Sequence, residues 1–252
     1  MPALDYSRLA SLYDAMVTDR GDLDFFLDAS RVAAGPVAEL MAGTGRLAVP
    51  LAQAGIDMTC VDSSPEMLQL LGEKLVAKRL RAKVVCDDVT LMNIEDRFRL
   101  VFIAFHSFEE LVEDADQRAC LDTVRRHLSA NGRFICTLHD IRSRLATVGP
   151  GKGGQWQFSD PRSRREVALS LETEYDGQAG IVHGLESFTY VGDAVPFLEV
   201  PLRFRLVKPH AFRQIAEDAG FAVESVGADF TAMEYREGQA RTAVWTLRPL
   251  TV

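Results

Sequence analysis

The chain has 252 residues, 47% hydrophobic and 25% charged, with a net charge of −8. That length supports one large core and excludes a disordered chain or a small disulfide scaffold. The excess of 36 acidic over 28 basic residues argues against nucleic acid or an anionic membrane as partner, because both need basic surface. No apolar run reaches the roughly 20 residues of a membrane helix. The first residues carry neither the basic nor the apolar region of a secretory leader, so a cytoplasmic location is expected.

In chain order, residues 37–40 read as a short strand that stops at Gly43-Thr44-Gly45. A helical pattern follows, with Leu47, Leu51 and Ala54 before Gly55. Residues 58–61 form the second strand, ending in Asp62, and Ser63-Ser64-Pro65 opens the next helix with capping residues and a first-turn proline. Residues 84–86 form the third strand. Residues 100–105 are an apolar run suited to a strand covered on both faces. Helix is expected over 118–128, stopped by Asn131-Gly132, and a fifth strand over 134–138. Strands alternating with helices imply βαβ units and a parallel sheet.

The rhythm changes after the glycine-rich joint at 149–154. Three partly alternating runs, 166–175, 181–191 and 197–207, are separated by Asp176-Gly177 and Gly192-Asp193 turns. They predict a three-stranded antiparallel insert. A helix over 209–220 and strands over 221–226 and 242–247 close the chain. Cys60, Cys86, Cys120 and Cys136 form no CxxC pair and read as buried free thiols. The expected organisation is one domain, 1–252: a helical lid segment at 1–35, a cofactor-binding half at 36–140, a substrate-side insert at 149–208, and a closing helix and strands at 209–252.

The Gly43-Thr44-Gly45 turn between a strand and a helix is a ligand cradle, because glycines admit a ligand close to the backbone and the helix start offers free N–H groups. Gly43, Gly45 and Ala48 also satisfy the dinucleotide pattern G-x-G-x-x-A, so a nicotinamide-dependent oxidoreductase is one reading, and a tight structural turn is the plain one. Asp62 stands where an acid accepts the two hydroxyls of a ribose; its alternative is a helix cap.

These features resemble the class I S-adenosylmethionine-dependent methyltransferases. Glu39-Leu40-Met41-Ala42-Gly43-Thr44-Gly45-Arg46 resembles their first motif, E-x-G-x-G-x-G. Asp62 matches the ribose acid, and Ser63 to Met67 are similar to the segment after it. Asp88, in Cys86-Asp87-Asp88-Val89, matches the adenine-binding acid. Phe105-His106-Ser107-Phe108 resembles the segment beside the methionine portion, and Tyr13-Asp14 resembles an N-terminal lid. The resemblance implies an α/β doubly wound, seven-stranded, mostly parallel sheet with an antiparallel β insert after the fifth strand. It implies S-adenosylmethionine as cofactor, bound by Tyr13, Glu39, Met41, Ala42, Gly43, Thr44, Gly45, Asp62, Ser63, Met67, Asp87, Asp88, Val89, Phe105 and Ser107. It departs at Met41, where the family has glycine, so Met41 is expected to line the floor of the pocket or tilt the strand end.

The expected activity is methyl transfer to a nitrogen, less readily an oxygen, of a small molecule by in-line displacement. The competing classes are an NAD(P)-dependent oxidoreductase and a non-catalytic nucleoside-binding protein. His106 and His139 follow the fourth and fifth strands, at the sheet edge where ligands bind, and are the catalytic candidates as proton acceptors; backbone-bonded structural histidines are the alternative. Asp140 is placed to orient His139 or to face solvent. Tyr6, Trp156, Phe158, Arg203 and Arg205 are substrate-side candidates, with simple packing for Tyr6 and outward, solvated arginines as alternatives. No residue set has metal-ligand spacing. Insert strands could also pair two copies in a homodimer.

Overall fold

The computed structural model describes residues 5–149 and 152–250, so Pro150 and Gly151 of the glycine-rich joint lie outside the described residues. The chain begins with two helices, α1 (Tyr6–Met16) and α2 (Leu23–Ala33). The alternating part then runs β1 (Val37–Leu40), α3 (Ala48–Gln53), β2 (Met58–Asp62), α4 (Pro65–Ala77), β3 (Lys83–Cys86), β4 (Phe98–Ile103), α5 (Asp114–His127) and β5 (Leu128–His139). After the short α6 (Ile141–Leu145) come β6 (Gln155–Ser159), β7 (Glu166–Asp176), β8 (Ile181–Tyr190) and β9 (Leu198–Arg205). Helix α7 (Pro209–Asp218), β10 (Phe221–Ala228) and β11 (Thr242–Pro249) end the fold.

Seven strands form one sheet in the order β10-β11-β5-β4-β1-β2-β3. Strands β3, β2, β1, β4 and β5 pair in parallel, while β11 is antiparallel to both β5 and β10, so six strands share a direction and β11 opposes them. The order reverses between β1 and β4, which places the C-terminal ends of these strands at a switch point, where a doubly wound sheet binds its ligand.

Both faces of this sheet are covered. Ala38, Leu40, Val101, Ile103 and Phe134 pack with Cys120, Leu121 and Val124 of α5 and Phe212 of α7. The alternate residues Val37, Leu100, Phe102 and Ile135 pack with Phe26 of α2, Leu51 of α3 and Leu71 and Leu75 of α4. The period of two along each strand divides the residues between the faces. Helix α4 starts as its sequence requires: Ser64 Oγ accepts from the Met67 amide, and Pro65 occupies the first turn.

Several boundaries differ from expectation. Strand β4 ends at Ile103, because Phe105 and His106 take left-handed backbone conformations (φ 56° and 64°). Helix α5 spans Asp114–His127 and passes directly into β5, so Asn131-Gly132 is not its stop. Gly132 has a different reason: a Cβ there would lie 2.8 Å from the Phe98 carbonyl oxygen, so glycine allows a close backbone approach. The insert has four strands, not three, in the order β6-β7-β8-β9. Cys60, Cys120 and Cys136 are buried free thiols, but Cys86, on edge strand β3, is exposed.

Helix α1 joins the insert to the main sheet. Leu9 and Leu12 are buried against Val167, Leu169, Phe188 and Val200. Asp14, on the same helix, pairs with Lys74 of α4 at 2.5 Å. No helix among the described residues is long and apolar enough to cross a membrane.

Candidate active site

The turn after β1 bends through three left-handed residues, Met41 (φ 56°), Gly43 (φ 55°) and Gly45 (φ 81°). The two glycines serve different ends. A Cβ on Gly43 would meet nothing within 4 Å, so this residue faces open space, whereas one on Gly45 would lie 2.3 Å from Leu71 Cδ1, where α4 packs. Met41 keeps the backbone conformation that glycine favours, which costs about 1–2 kcal/mol for a side-chain-bearing residue.

Asp62 fastens the turn from β2. Its Oδ2 accepts from the Gly43 amide at 2.7 Å and its Oδ1 from the Ser64 amide at 2.9 Å. Each oxygen retains a lone pair for a further donor. Burial raises the Asp62 pKa, against the lowering effect of these backbone bonds. Below the turn, Glu39 is buried, with Oε2 unpartnered, and burial pushes its carboxyl up to about 8. Open space over Gly43 and a ribose-type acid with spare lone pairs fit a nucleoside cofactor such as S-adenosylmethionine.

A cavity of about 300 Å³ lies over the turn. Of the residues expected from the sequence, Tyr6, Tyr13, Met41, Gly43, Asp62, Ser63, Met67, Asp88, Val89, Ser107 and Arg203 line it. Other expected residues do not. Thr44 is buried beneath, its hydroxyl donating to Asp14 at 2.6 Å. Gly45 packs on α4. Ala42 holds the β1–β2 register through its amide bond to the Val61 carbonyl, and Glu39 lies under the turn. The Asp87 carboxylate is turned back to the Asp88 amide. Phe105 is partly exposed beneath the Arg46 guanidinium, 4.9 Å from its ring centre.

The substrate-side candidates separate in the same way. Trp156 is half exposed on β6, and Phe158 packs into the core between the insert and α1. Neither lines the cavity. Arg203 pairs with Glu113 at 3.2 Å and Arg205 pairs with Asp114. Both arginines therefore pin β9 to the start of α5 rather than facing solvent, and only Arg203 reaches the cavity wall.

Sequence reasoning missed Glu110, Leu111, Val112, Glu113 and Asp116 on the cavity wall. Glu110 belongs to a 3-10 turn, Ser107–Glu110, and its Oε1 accepts from Tyr6 Oη at 2.6 Å. Burial, and less strongly Asp62, push its carboxyl up to about 7 against the opposing Tyr6 bond. The available signal was two consecutive acids continuing a segment already singled out at Phe105–Phe108, which ends two residues short of Glu110.

His106 and His139 sit outside this cavity lining and stack on one another, ring centres 3.7 Å apart at 15°. His106 Nε2 bonds Thr242 Oγ1 at 3.0 Å. Burial holds His106 well below the usual histidine range, with His139 adding to the effect, and lowers His139 to about 3, helped by Arg144. Asp140 does not orient His139. It caps α6 through the Ser143 amide and accepts from Tyr235 Oη and the Gly238 amide, each at 2.7 Å. The partner of His139 Nδ1 is Glu109, which is buried behind the 3-10 turn. Among the described residues no group of three or more His, Cys, Asp or Glu side chains is placed to hold a metal ion.

Residues 37–132 match the family described as a methyltransferase domain. The chain is 23% identical over 233 residues to the putative methyltransferase YqeM of Bacillus subtilis (strain 168), covering 91% of each. Among solved structures, the CcbJ methyltransferase of Streptomyces caelestis is 25% identical, with TM-score 0.82 and 96% of both chains covered. An S-adenosylmethionine-dependent methyltransferase from Clostridium acetobutylicum ATCC 824 is 17% identical, with TM-score 0.79 and coverage of 98% and 99%. The sugar N-methyltransferase KedS8 from Streptoalloteichus sp ATCC 53650 is 16% identical, with TM-score 0.74 and coverage of 95% and 92%. With the strand order, these matches give the chain the fold of the class I methyltransferases, with a methyltransferase domain over residues 37–132. It is an enzyme that uses S-adenosylmethionine as methyl donor.

Proposed function

We propose that this enzyme methylates a nitrogen of a small molecule carrying a basic amine, and that Glu110 takes the proton the amine must lose. One observation carries the reading: the Glu110 carboxylate lines the cavity, has Tyr6 as its side-chain hydrogen-bond partner, and forms no ion pair with a cationic side chain among the described residues. Arg203, an arginine on the wall, pairs with Glu113. An ammonium is the group that satisfies such a carboxylate.

Bound S-adenosylmethionine supplies an electrophilic methyl carbon whose bond to sulfur breaks as the new bond to nitrogen forms. The protein's tasks are alignment, exclusion of water and removal of the proton. Asp62 and Asp88 suit the ribose and adenine ends. Tyr6 and Tyr13 close the cavity from α1, and the insert, pinned by Arg203 and Arg205, covers the acceptor side. A base is most useful when its pKa lies near the working pH. Glu110, at about 7, meets that condition. His139, at about 3, does not retain a proton taken from an amine, and neither histidine lines the cavity, so neither serves as the base.

The similar protein KedS8 is a sugar N-methyltransferase, which supports a nitrogen acceptor. The acidic cavity wall favours a small cationic metabolite over nucleic acid, and with the lack of a membrane-length helix among the described residues it supports action in the cytoplasm.

The test begins with calorimetry and thermal melts with S-adenosylhomocysteine and NADH in parallel. At 100 times its Kd a ligand stabilises by about 2.7 kcal/mol, and only the adenosyl compound should do so. Methyl transfer to a panel of amines and their hydroxyl counterparts follows. Amines should be methylated, with activity rising as pH passes about 7 and lost in Glu110→Gln. Stabilisation by NADH alone would overturn the cofactor assignment, and transfer only to hydroxyls would overturn the acceptor.

A further inference from the structure

The Ser107–Glu110 turn sends its two adjacent acids in opposite directions. Glu110 faces the cavity; Glu109, 1% exposed, faces the ends of β5 and β9. Glu109 makes three contacts there. Its Oε2 bonds His139 Nδ1 and accepts from the His139 amide at 3.4 Å. Its Oε1 accepts from the Val207 amide at 3.3 Å, just beyond the end of β9. One buried carboxyl group therefore holds both a histidine and the exit of the insert.

The His139 ring is packed as well as bonded. His106 stacks on it, fixed in turn by Thr242, and the Phe204 ring of β9 lies with its centre 5.7 Å from that of His139. Arg144 lies over the Phe204 ring at 5.1 Å, its Nε buried without a partner among the described residues. With Nδ1 committed to Glu109, Nε2 is the ring nitrogen of His139 without a hydrogen bond among the described residues, and the side chain is 22% exposed. A ring held at one nitrogen and stacked on a neighbour cannot flip without breaking a buried contact.

We propose that Glu109 is a positioning residue: it fixes the His139 ring with Nε2 turned to the acceptor side of the sheet, and through Val207 it ties that orientation to the seating of the insert. What His139 faces rests on the nitrogen-acceptor reading above; that Glu109 orients it does not. Burial pushes Glu109 up to about 8 and His139 down to about 3. At neutral pH the pair therefore carries no net charge, one proton lies between Oε2 and Nδ1, and Nε2 bears its own hydrogen. His139 then presents a fixed Nε2–H donor at the end of β5.

The experiment is long-range proton–nitrogen correlation NMR on histidine-labelled protein, with His139 assigned from the spectrum of His139→Gln. In the native protein His139 should show a single neutral tautomer with hydrogen on Nε2, unchanged from pH 5 to 7, and cross-relaxation to the Phe204 ring. Glu109→Gln should preserve this pattern, because the amide N–H can replace the proton donated to Nδ1. Glu109→Leu should lose it, with averaged ring nitrogens and no Phe204 contact. S-adenosylhomocysteine affinity should stay within twofold in both variants, which serves as the check on folding. A native His139 that titrates like a free imidazole, or a pattern unaltered in Glu109→Leu, would overturn the proposal, and the native spectrum decides alone if Glu109→Leu does not fold. Failure of the native protein to bind S-adenosylhomocysteine would instead count against the cofactor assignment.

Discussion

Replacing Gly45 with alanine puts a methyl group 2.3 Å from Leu71 Cδ1 and 3.1 Å from Val49 Cγ2, at φ 81°. The left-handed conformation costs about 1–2 kcal/mol once a Cβ is present. Forcing a methyl into a packed helix contact costs about 1–3 kcal/mol more. Gly45→Ala should therefore lose about 2–5 kcal/mol of stability, or roughly 4–20 °C in Tm for a chain of this length. Gly43→Ala has a similar φ of 55° but open space around the new methyl. Its stability loss should be about 1 kcal/mol or less, because alanine also narrows the unfolded ensemble. That methyl, however, enters the cradle where the cofactor backbone approach occurs, and S-adenosylhomocysteine affinity should fall at least about tenfold, or 1.4 kcal/mol. Urea unfolding followed through buried Trp245 and calorimetry with S-adenosylhomocysteine measure the two effects separately. A Gly45→Ala variant that unfolds at the native midpoint, or a Gly43→Ala variant that binds with native affinity, would refute the division of labour between the glycines.

Asp62→Ala removes the acceptor of the Gly43 and Ser64 amides along with the proposed ribose partner. At about 1.5–3 kcal/mol for each bond to a charged group, S-adenosylhomocysteine affinity should drop at least about tenfold, and calorimetry showing an unchanged Kd would reject the ribose role. Glu39 is an acid whose folded pKa, about 8, lies above its ordinary 4.5. The folded state thus holds its proton more tightly than the unfolded chain, and the associated stability is complete below about pH 4.5 and lost as pH rises through 8. Glu39→Gln cannot ionise, so its unfolding free energy should vary less between pH 5 and 8; parallel slopes for the two proteins would show that burial does not shift Glu39.

Much of the fold was legible because it depends on local rules. Apolar runs of strand length alternating with amphipathic helices specify a parallel sheet, and Ser64-Pro65 marks a helix start whatever surrounds it. The cradle was legible for the same reason: glycines at 43 and 45 and an acid ending the next strand are constraints on backbone and hydrogen bonding carried by neighbouring residues. Strand β6 was missed because Trp156 and Phe158 occupy five residues beside a glycine-rich joint, too few to show a period. Thr44 and Gly45 were assigned to the cofactor on a motif that cannot distinguish a residue facing the ligand from one facing α4.

The sequence by itself determined the class of sheet, the position of the cradle and the identity of Asp62 as its acid. Tertiary structure decided which polar groups meet across the chain. Tyr6 reaches Glu110 over 104 residues, Glu109 rather than the adjacent Asp140 holds His139, and Arg203 and Arg205 find Glu113 and Asp114 about 90 residues away. Burial then reset the chemistry. It lowers the histidines out of the range of a useful base and raises Glu110 into it, because desolvation penalises the charged form of each group. Neither a pairing across such separations nor a loss of hydration is encoded in the local pattern of residues, and both arise only when the insert, α1 and the ends of β4 and β5 come together.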